Sequence, residues 1–390
     1  MTSKERMLTA MRNGKPDMVP VAPDISNMVP CQLTGKPFWD IYLYQNPPLW
    51  KVYIDAVRHF GFDGWMYDVN GYTPYVSDAS LFGDEPVDAG VKTETVIVMK
   101  TDERIVTRKY TQLKGKPKQW SPHVTVYYRW DPPTFLLASK IGLDAPPDEY
   151  WPLEVVEPEK KGLDLFREIK EYMGDDGVIG FSVGCPALGN PELGIGYSIY
   201  DYCDRYEEVK KWSIRADDQA RKRLRKLLAS PVKPDFVLTG GSGLLIFNTP
   251  KILRDITLPT IQKITKMCRD AGMVSQIHCC GPERALVEMC AHETDLDSIN
   301  PLEIRPMGDC ELAEIKRSFG KKLSLMGNLH TTEVMLRGSA KDVEEASKKA
   351  IDDAAEGGGF ILSTGDQCGR DTPEENIFKM IEVARTYGKY

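Results

Sequence analysis

The chain of 390 residues is short of several features that would assign it at once. No apolar run approaches the roughly 18 residues of a membrane-spanning helix. The opening stretch, Met1-Thr2-Ser3-Lys4-Glu5-Arg6, is polar and lacks the apolar core of a signal peptide. There is no long basic block. Lys and Arg number 50 against 57 Asp and Glu, a formal net charge of −7. That balance argues against nucleic acid as the main ligand. Histidine is scarce, with five residues. The nine cysteines are odd in number and scattered. They suit a reducing cytoplasm better than a disulfide framework. Internal repeats and low-complexity segments are also missing. What remains is 42% hydrophobic and 27% charged. This is the make-up of a folded globular protein, and it excludes disordered, collagen-like and small disulfide-rich classes.

Short apolar runs recur along the chain, mostly separated by helical patterns. Met18–Pro23 is the first, weakened as a strand by its prolines. The others are Gly64–Val69, Val178–Val183, Asp235–Thr239, Val274–His278, Leu296–Ile299, Leu323–Met326 and Phe360–Ser363. Several helices have readable starts. Thr2 and Glu5 make a capping box, with Gly14 as a stop. Thr249-Pro250 opens a long pattern through Lys266. Thr372-Pro373-Glu374-Glu375 repeats the device. Eight alternations of strand and helix predict an α/β fold, a parallel (β/α)₈ TIM barrel, with a doubly wound open sheet as the alternative. Residues 1–390 then form one barrel. Between the second and third strands, about 85–155, β-branched and aromatic runs read as an antiparallel β-rich insertion. It covers the barrel mouth or decorates its outside.

Chemistry concentrates at Ile277-His278-Cys279-Cys280-Gly281. In a strand, residues i and i+2 point the same way, so His278 and Cys280 can face one metal. Barrels place their working residues at the C-terminal ends of strands, where this pair falls. Chance gives such a pair in roughly one comparable sequence in ten, so a further donor is needed. Cys368 follows the last predicted strand. One His and two Cys match a catalytic zinc site with an open position. Buried apolar packing is the commoner fate of a cysteine. It is assigned to Cys31, Cys185, Cys203, Cys268, Cys290 and Cys310, and Cys279 should turn to the opposite face. Glu303, just beyond the next strand, is either a fourth ligand or a polar neighbour. Gly240-Gly241-Ser242-Gly243 ends another strand, where small side chains admit a bulky ring or simply make a tight turn. No Gly-Lys-Ser/Thr follows it, so it is not a P-loop. A Gly-x-Ser-x-Gly elbow is also missing. Trp65, Tyr67 and Tyr72 line a pocket or belong to the core.

These stretches resemble the uroporphyrinogen decarboxylase superfamily, in its corrinoid-dependent branch of methylcobamide:coenzyme M methyltransferase-like enzymes. The resemblance rests on Glu5–Ala10, Lys15–Pro20, Ile277–Gly281, Asn300-Pro301-Leu302-Glu303, Met326-Gly327-Asn328 and Ile361 through Cys368 to Asn376. It implies a (β/α)₈ barrel and zinc held by His278, Cys280 and Cys368. The founding decarboxylase uses an Arg-rich segment after the first strand to bind porphyrin carboxylates. Here Val21–Pro30 contains no Arg or Lys. Asp68 stands roughly where that enzyme keeps its catalytic aspartate, and without the arginines it reads as a polar wall.

The resemblance implies methyl transfer between a corrinoid and a thiol or another small methyl donor or acceptor. Zinc deprotonates a coordinating thiol and acts as a Lewis acid. The corrinoid, methylcobalamin in kind, should arrive on a partner protein, because the chain has no Asp-x-His-x-x-Gly of the corrinoid-binding type. The site set expected is therefore His278, Cys280 and Cys368 on zinc, Glu303 and Asp68 as catalytic carboxylates, and Gly240, Gly241 and Ser242 against the cofactor. Two alternatives stand beside it. One is a decarboxylase of a small or porphyrin-type acid. The other is a non-catalytic zinc-containing scaffold that binds a corrinoid protein.

Overall fold

A computed structural model describes residues 1–77, 80–81 and 91–390. The described strands are, in chain order, β1 (Gly64–Met66), β2 (Val91–Lys100), β3 (Arg104–Leu113), β4 (Gln119–Tyr128), β5 (Thr134–Leu137) and β6 (Trp151–Pro152). They continue with β7 (Gly177–Ser182), β8 (Phe236–Leu238), β9 (Val274–His278), β10 (Ser298–Asn300), β11 (Ser324–Leu329) and β12 (Phe360–Thr364).

Seven of them form a curled parallel sheet in the order β1-β7-β8-β9-β10-β11-β12. Every residue of β8 to β12 is buried. That is why the sequence shows continuous apolar runs there: helices cover the outer face and side chains fill the inner one. Residues 20–22 lie between the two sheet edges. On one side Leu362 N donates to Pro20 O and Ala22 N to Leu362 O, both at 2.9 Å. On the other, Asp63 N donates to Val21 O at 2.8 Å. Pro20 and Pro23 bring no N–H to a ladder, so this expected first strand is reduced to two isolated bridges, Met18 to Lys389 and the parallel Val21 to Leu362.

The helix Ser3–Met11 spans the N-terminal ends of the strands. Its capping box forms as Thr2 and Glu5 predict. Lys4 N donates to Asp175 O just before β7, and Asn13 Nδ2 to Gly320 O just before β11. Arg6 bonds Asp63 at 2.7 Å just before β1 and Asp17 at 2.8 Å. Met7, Ala10 and Met11 pack on Ala22, Trp65, Val178, Phe236, Val274, Met326 and Ile361, which fill the interior of the sheet. A polar layer sits among them: Trp65 Nε1 donates to Gln276 Oε1 at 2.8 Å, and Gln276 Nε2 to Ser298 Oγ at 3.2 Å.

Two helix expectations need correction. The long helix from Thr249 is two helices, Pro250–Ile256 and Leu258–Asp270, meeting at Thr257. Pro259 has no N–H for the fourth residue back, so the first helix ends and a second begins. At Glu374–Thr386 the N-cap is Pro373, with no side-chain cap, instead of Thr372.

The remaining strands form an antiparallel sheet, β5-β4-β3-β2-β6. It lies in sequence between β1 and β7, and residues 85–90 of the expected insertion fall outside the described residues. It has its own small core of Val106, Val124, Val126 and Ala138. Three residues tie it to loops beyond the C-terminal ends of the parallel strands. His123 Nε2 meets Leu193 O at 2.6 Å after β7, Arg370 after β12 bonds Trp130 O and Asp131, and Phe38 N donates to Arg129 O at 2.7 Å. Among the described residues no helix is long and apolar enough to cross a membrane.

Candidate metal centre

β9 delivers His278 as its last residue, and Cys280 follows two positions on. Cys279 between them turns into the main apolar core, as strand alternation predicts. The third donor facing this pair is Asp366, in the loop after β12. One ligand atom each from His278, Cys280 and Asp366 lies within 4.8 Å of the others. His278 Nε2 is 3.8 Å from Asp366 Oδ1. That oxygen is buried and accepts no hydrogen bond. Asp366 holds φ at +128°, a conformation rare for a residue with a side chain.

Cys368, expected as the third ligand, is outside this group of three. It is fully buried, in the main core. Its N–H donates to Asp24 O at 2.8 Å, and its carbonyl accepts from Ser26 Oγ at 3.0 Å. These bonds anchor the loop's backbone so that Asp366, two residues earlier, faces His278 while the Cys368 side chain packs inward.

The electrostatics suit a metal-binding group. Burial lowers the pKa of His278, against the pull of the Asp366 charge, so the imidazole is neutral and able to ligate. Burial, with Asp366 and Glu303 nearby, pushes the Cys280 thiol up to about 11, and a hydrogen bond with Ser242 opposes that. Burial and the nearby Asp24 carry Cys368 up to about 12. The charged groups that act on His278 and Cys280 are the carboxylates of Asp366 and Glu303, with no positive side chain among them. The ring of Tyr67 stacks over His278, with centroids 6.3 Å apart.

The other expected residues are placed as follows. Ser242 sits beside Cys280. Gly240 has φ +81°, and a Cβ on Gly241 would meet nothing within 4 Å, so this loop leaves open space next to the site. Glu303 is buried and accepts a hydrogen bond from Gly281 N, steadying the loop after Cys280. It does not belong to the group of three. Asp68 accepts from Asn70 N at 3.2 Å and Ser182 N at 3.1 Å, which ties a short turn to the end of β7. Trp65 and Tyr72 are core.

Two residues escaped the sequence reading. Asp366 stands after Gly365 at a strand end, a position that suits a functional carboxylate, but a loop has no fixed period to show where it points. Asn300, in register with His278 across β9 and β10, places Nδ2 3.3 Å from His278 Nδ1.

A curled parallel sheet with its donors at the C-terminal strand ends defines an α/β protein of TIM-like architecture. The uroporphyrinogen decarboxylase (URO-D) family profile matches residues 202–387. Methylcobamide:CoM methyltransferase MtbA of Methanosarcina mazei is 29% identical over 133 residues, 33% of this chain and 35% of that protein. The match therefore spans about a third of that relative's length. A methyltransferase from Methanosarcina mazei of known structure is similar over 99% of both chains, with a TM-score of 0.56 and 16% identity. At that identity the likeness concerns the fold.

Proposed function

We propose that the protein is a zinc-dependent methyltransferase that moves a methyl group between a corrinoid, carried by a partner protein, and a thiol or another small donor or acceptor. The observation that carries this reading is the buried, unpartnered Oδ1 of Asp366 facing His278 and Cys280. Likeness to a methylcobamide:CoM methyltransferase supports the corrinoid and the thiol. All nine cysteines are free, which supports a cytoplasmic setting.

His278, Cys280 and Asp366 would hold the metal in the arrangement described. Cys368 is the softer donor that would take Asp366's place if the loop turned over. Zinc bound there would keep a coordinating thiol deprotonated at neutral pH and act as a Lewis acid. The chain's own residues do the rest. Tyr67 covers one face of the imidazole, Ser242 hydrogen-bonds the Cys280 sulfur, and Glu303 fixes the loop between them. The open space at Gly241 would admit the substrate or the edge of a corrinoid. Glu303 and Asp68 would act as polar walls without touching the reacting atoms.

The test is zinc content by elemental analysis, followed by transfer from methylcobalamin to a small thiol. It uses the full chain, with Cys280→Ala, Asp366→Ala and Cys368→Ala as variants. We expect about one zinc per chain, lost with Cys280. A protein that carries no zinc, and binds none when supplied, overturns the proposal. Decarboxylation that survives loss of Cys280 would favour the decarboxylase alternative. Zinc retained with no methyl transfer to any thiol would favour the scaffold.

A further inference from the structure

Asn300 ends β10 and pairs in register with His278 at the end of β9. Its side chain is 2% exposed. Nδ2 lies 3.3 Å from His278 Nδ1, and Oδ1 is buried without a partner. A primary amide is planar, and rotation by half a turn exchanges its oxygen and nitrogen in nearly the same space. The two orientations have opposite consequences for the imidazole. With Nδ2 towards the ring, Nδ1 must accept, so the ring proton sits on Nε2. That nitrogen then has no lone pair to offer a cation. With Oδ1 towards the ring, Nδ1–H donates to the buried oxygen. Nε2 then keeps its lone pair on the side of Asp366, 3.8 Å away.

We propose that Asn300 is a positioning residue that holds the ring proton of His278 on Nδ1, so that Nε2 presents its lone pair to a divalent cation. The inference rests on the metal reading of the site. It follows from the general need of a metal-bound imidazole for an acceptor at its other nitrogen. Of the described contacts, Asn300 supplies the one polar group at Nδ1. The register of two neighbouring parallel strands places it there, so the arrangement belongs to the fold and not to a mobile loop.

The experiment uses the full chain labelled with ¹⁵N-histidine, with the His278 signals assigned by their loss in His278→Gln. Metal-free wild type should show the Nδ1–H tautomer. Asn300→Ala should shift the population towards Nε2–H. Asn300→Asp, which keeps an acceptor, should restore Nδ1–H. Zinc affinity, read by competition with a chelator, should fall about 10- to 100-fold in Asn300→Ala and be rescued in Asn300→Asp. A merely structural role would not give that rescue. An Nε2–H tautomer in the wild type overturns the inference, and so does an Asn300→Asp variant that loses Nδ1–H. If wild type binds zinc and Asn300→Ala binds it equally well, Asn300 has no such role and the metal reading stands. If wild type binds no zinc, the metal reading falls and the role falls with it.

Discussion

The loops after β9 and β12 both bring donors to the same point, by different means. After β9 the donors are His278 and Cys280, and the strand's own alternation aligns them. No backbone outlier is needed at either residue. After β12 the donors are Asp366 and Cys368, also two residues apart, yet they part company. Asp366 takes φ +128° and faces His278, while Cys368 enters the core. One half of the site is thus set by sheet geometry, and the other half by a strained residue held by its surroundings. Strain of this kind costs on the order of 1–3 kcal/mol and persists where the neighbourhood over-determines it. Here that neighbourhood includes Thr364 Oγ1, which donates to Asp366 O at 2.7 Å.

The largest expected effect separates the two donors of the β12 loop. Asp366→Ala should weaken zinc binding by about a hundredfold or more, beyond what loss of a ligand's outer partner costs, and match Cys280→Ala. Cys368→Ala should weaken it much less. Chelator competition on the three variants reads this directly. The reverse order would mean that the loop turns over on metal uptake and that the thiolate is the true third donor.

A smaller effect probes the strand side. Gly281 sits at φ +89°, and an added Cβ would approach Ile246 to 2.7 Å. Gly281→Ala should cost about 1–2 kcal/mol, mostly from the backbone, since exposed Ile246 can yield. Thermal or urea unfolding would show it. Asp366→Gly should do the opposite, raising stability by about 1 kcal/mol while abolishing the donor. A variant that loses both metal and stability would show that Asp366 is not strained.

The smallest effect is a control at the N-terminal ends of the parallel strands. Hydrogen bonding to Arg6 holds the Asp17 carboxyl down at about 2. Its folded pKa is depressed, so it contributes stability above its ordinary value near 3.8 and loses it as pH falls towards 2. The side chain is about one-third exposed, so solvent screening keeps the effect well under about 1 kcal/mol. Asp17→Asn should melt slightly lower than wild type at pH 7. The gap should close as pH drops from about 4 towards 2, and zinc binding should not change.

The same contrast explains what the sequence made legible. His278 and Cys280 could be read because a strand has a period of two and an apolar run marks the strand. The other buried strands were visible for the same reason. Residues 18–23 were visible as a run but gave only two isolated bridges, Met18 to Lys389 and Val21 to Leu362, because Pro20 and Pro23 cannot extend a ladder. The break at Thr257 was hidden inside a continuous apolar helical pattern that Pro259 divides. Asp366 was hidden because direction in a loop comes from tertiary bonds, such as Cys368 N to Asp24 O, that join residues far apart in sequence. Asn300 needed the strand register, which no single segment contains.

The helix Ser3–Met11 has a consequence beyond stability. By packing Met7, Ala10 and Met11 against the side chains that fill the interior, it plugs the N-terminal ends of the strands. A molecule that reaches His278, the last residue of β9, therefore approaches from the opposite, C-terminal ends of the strands.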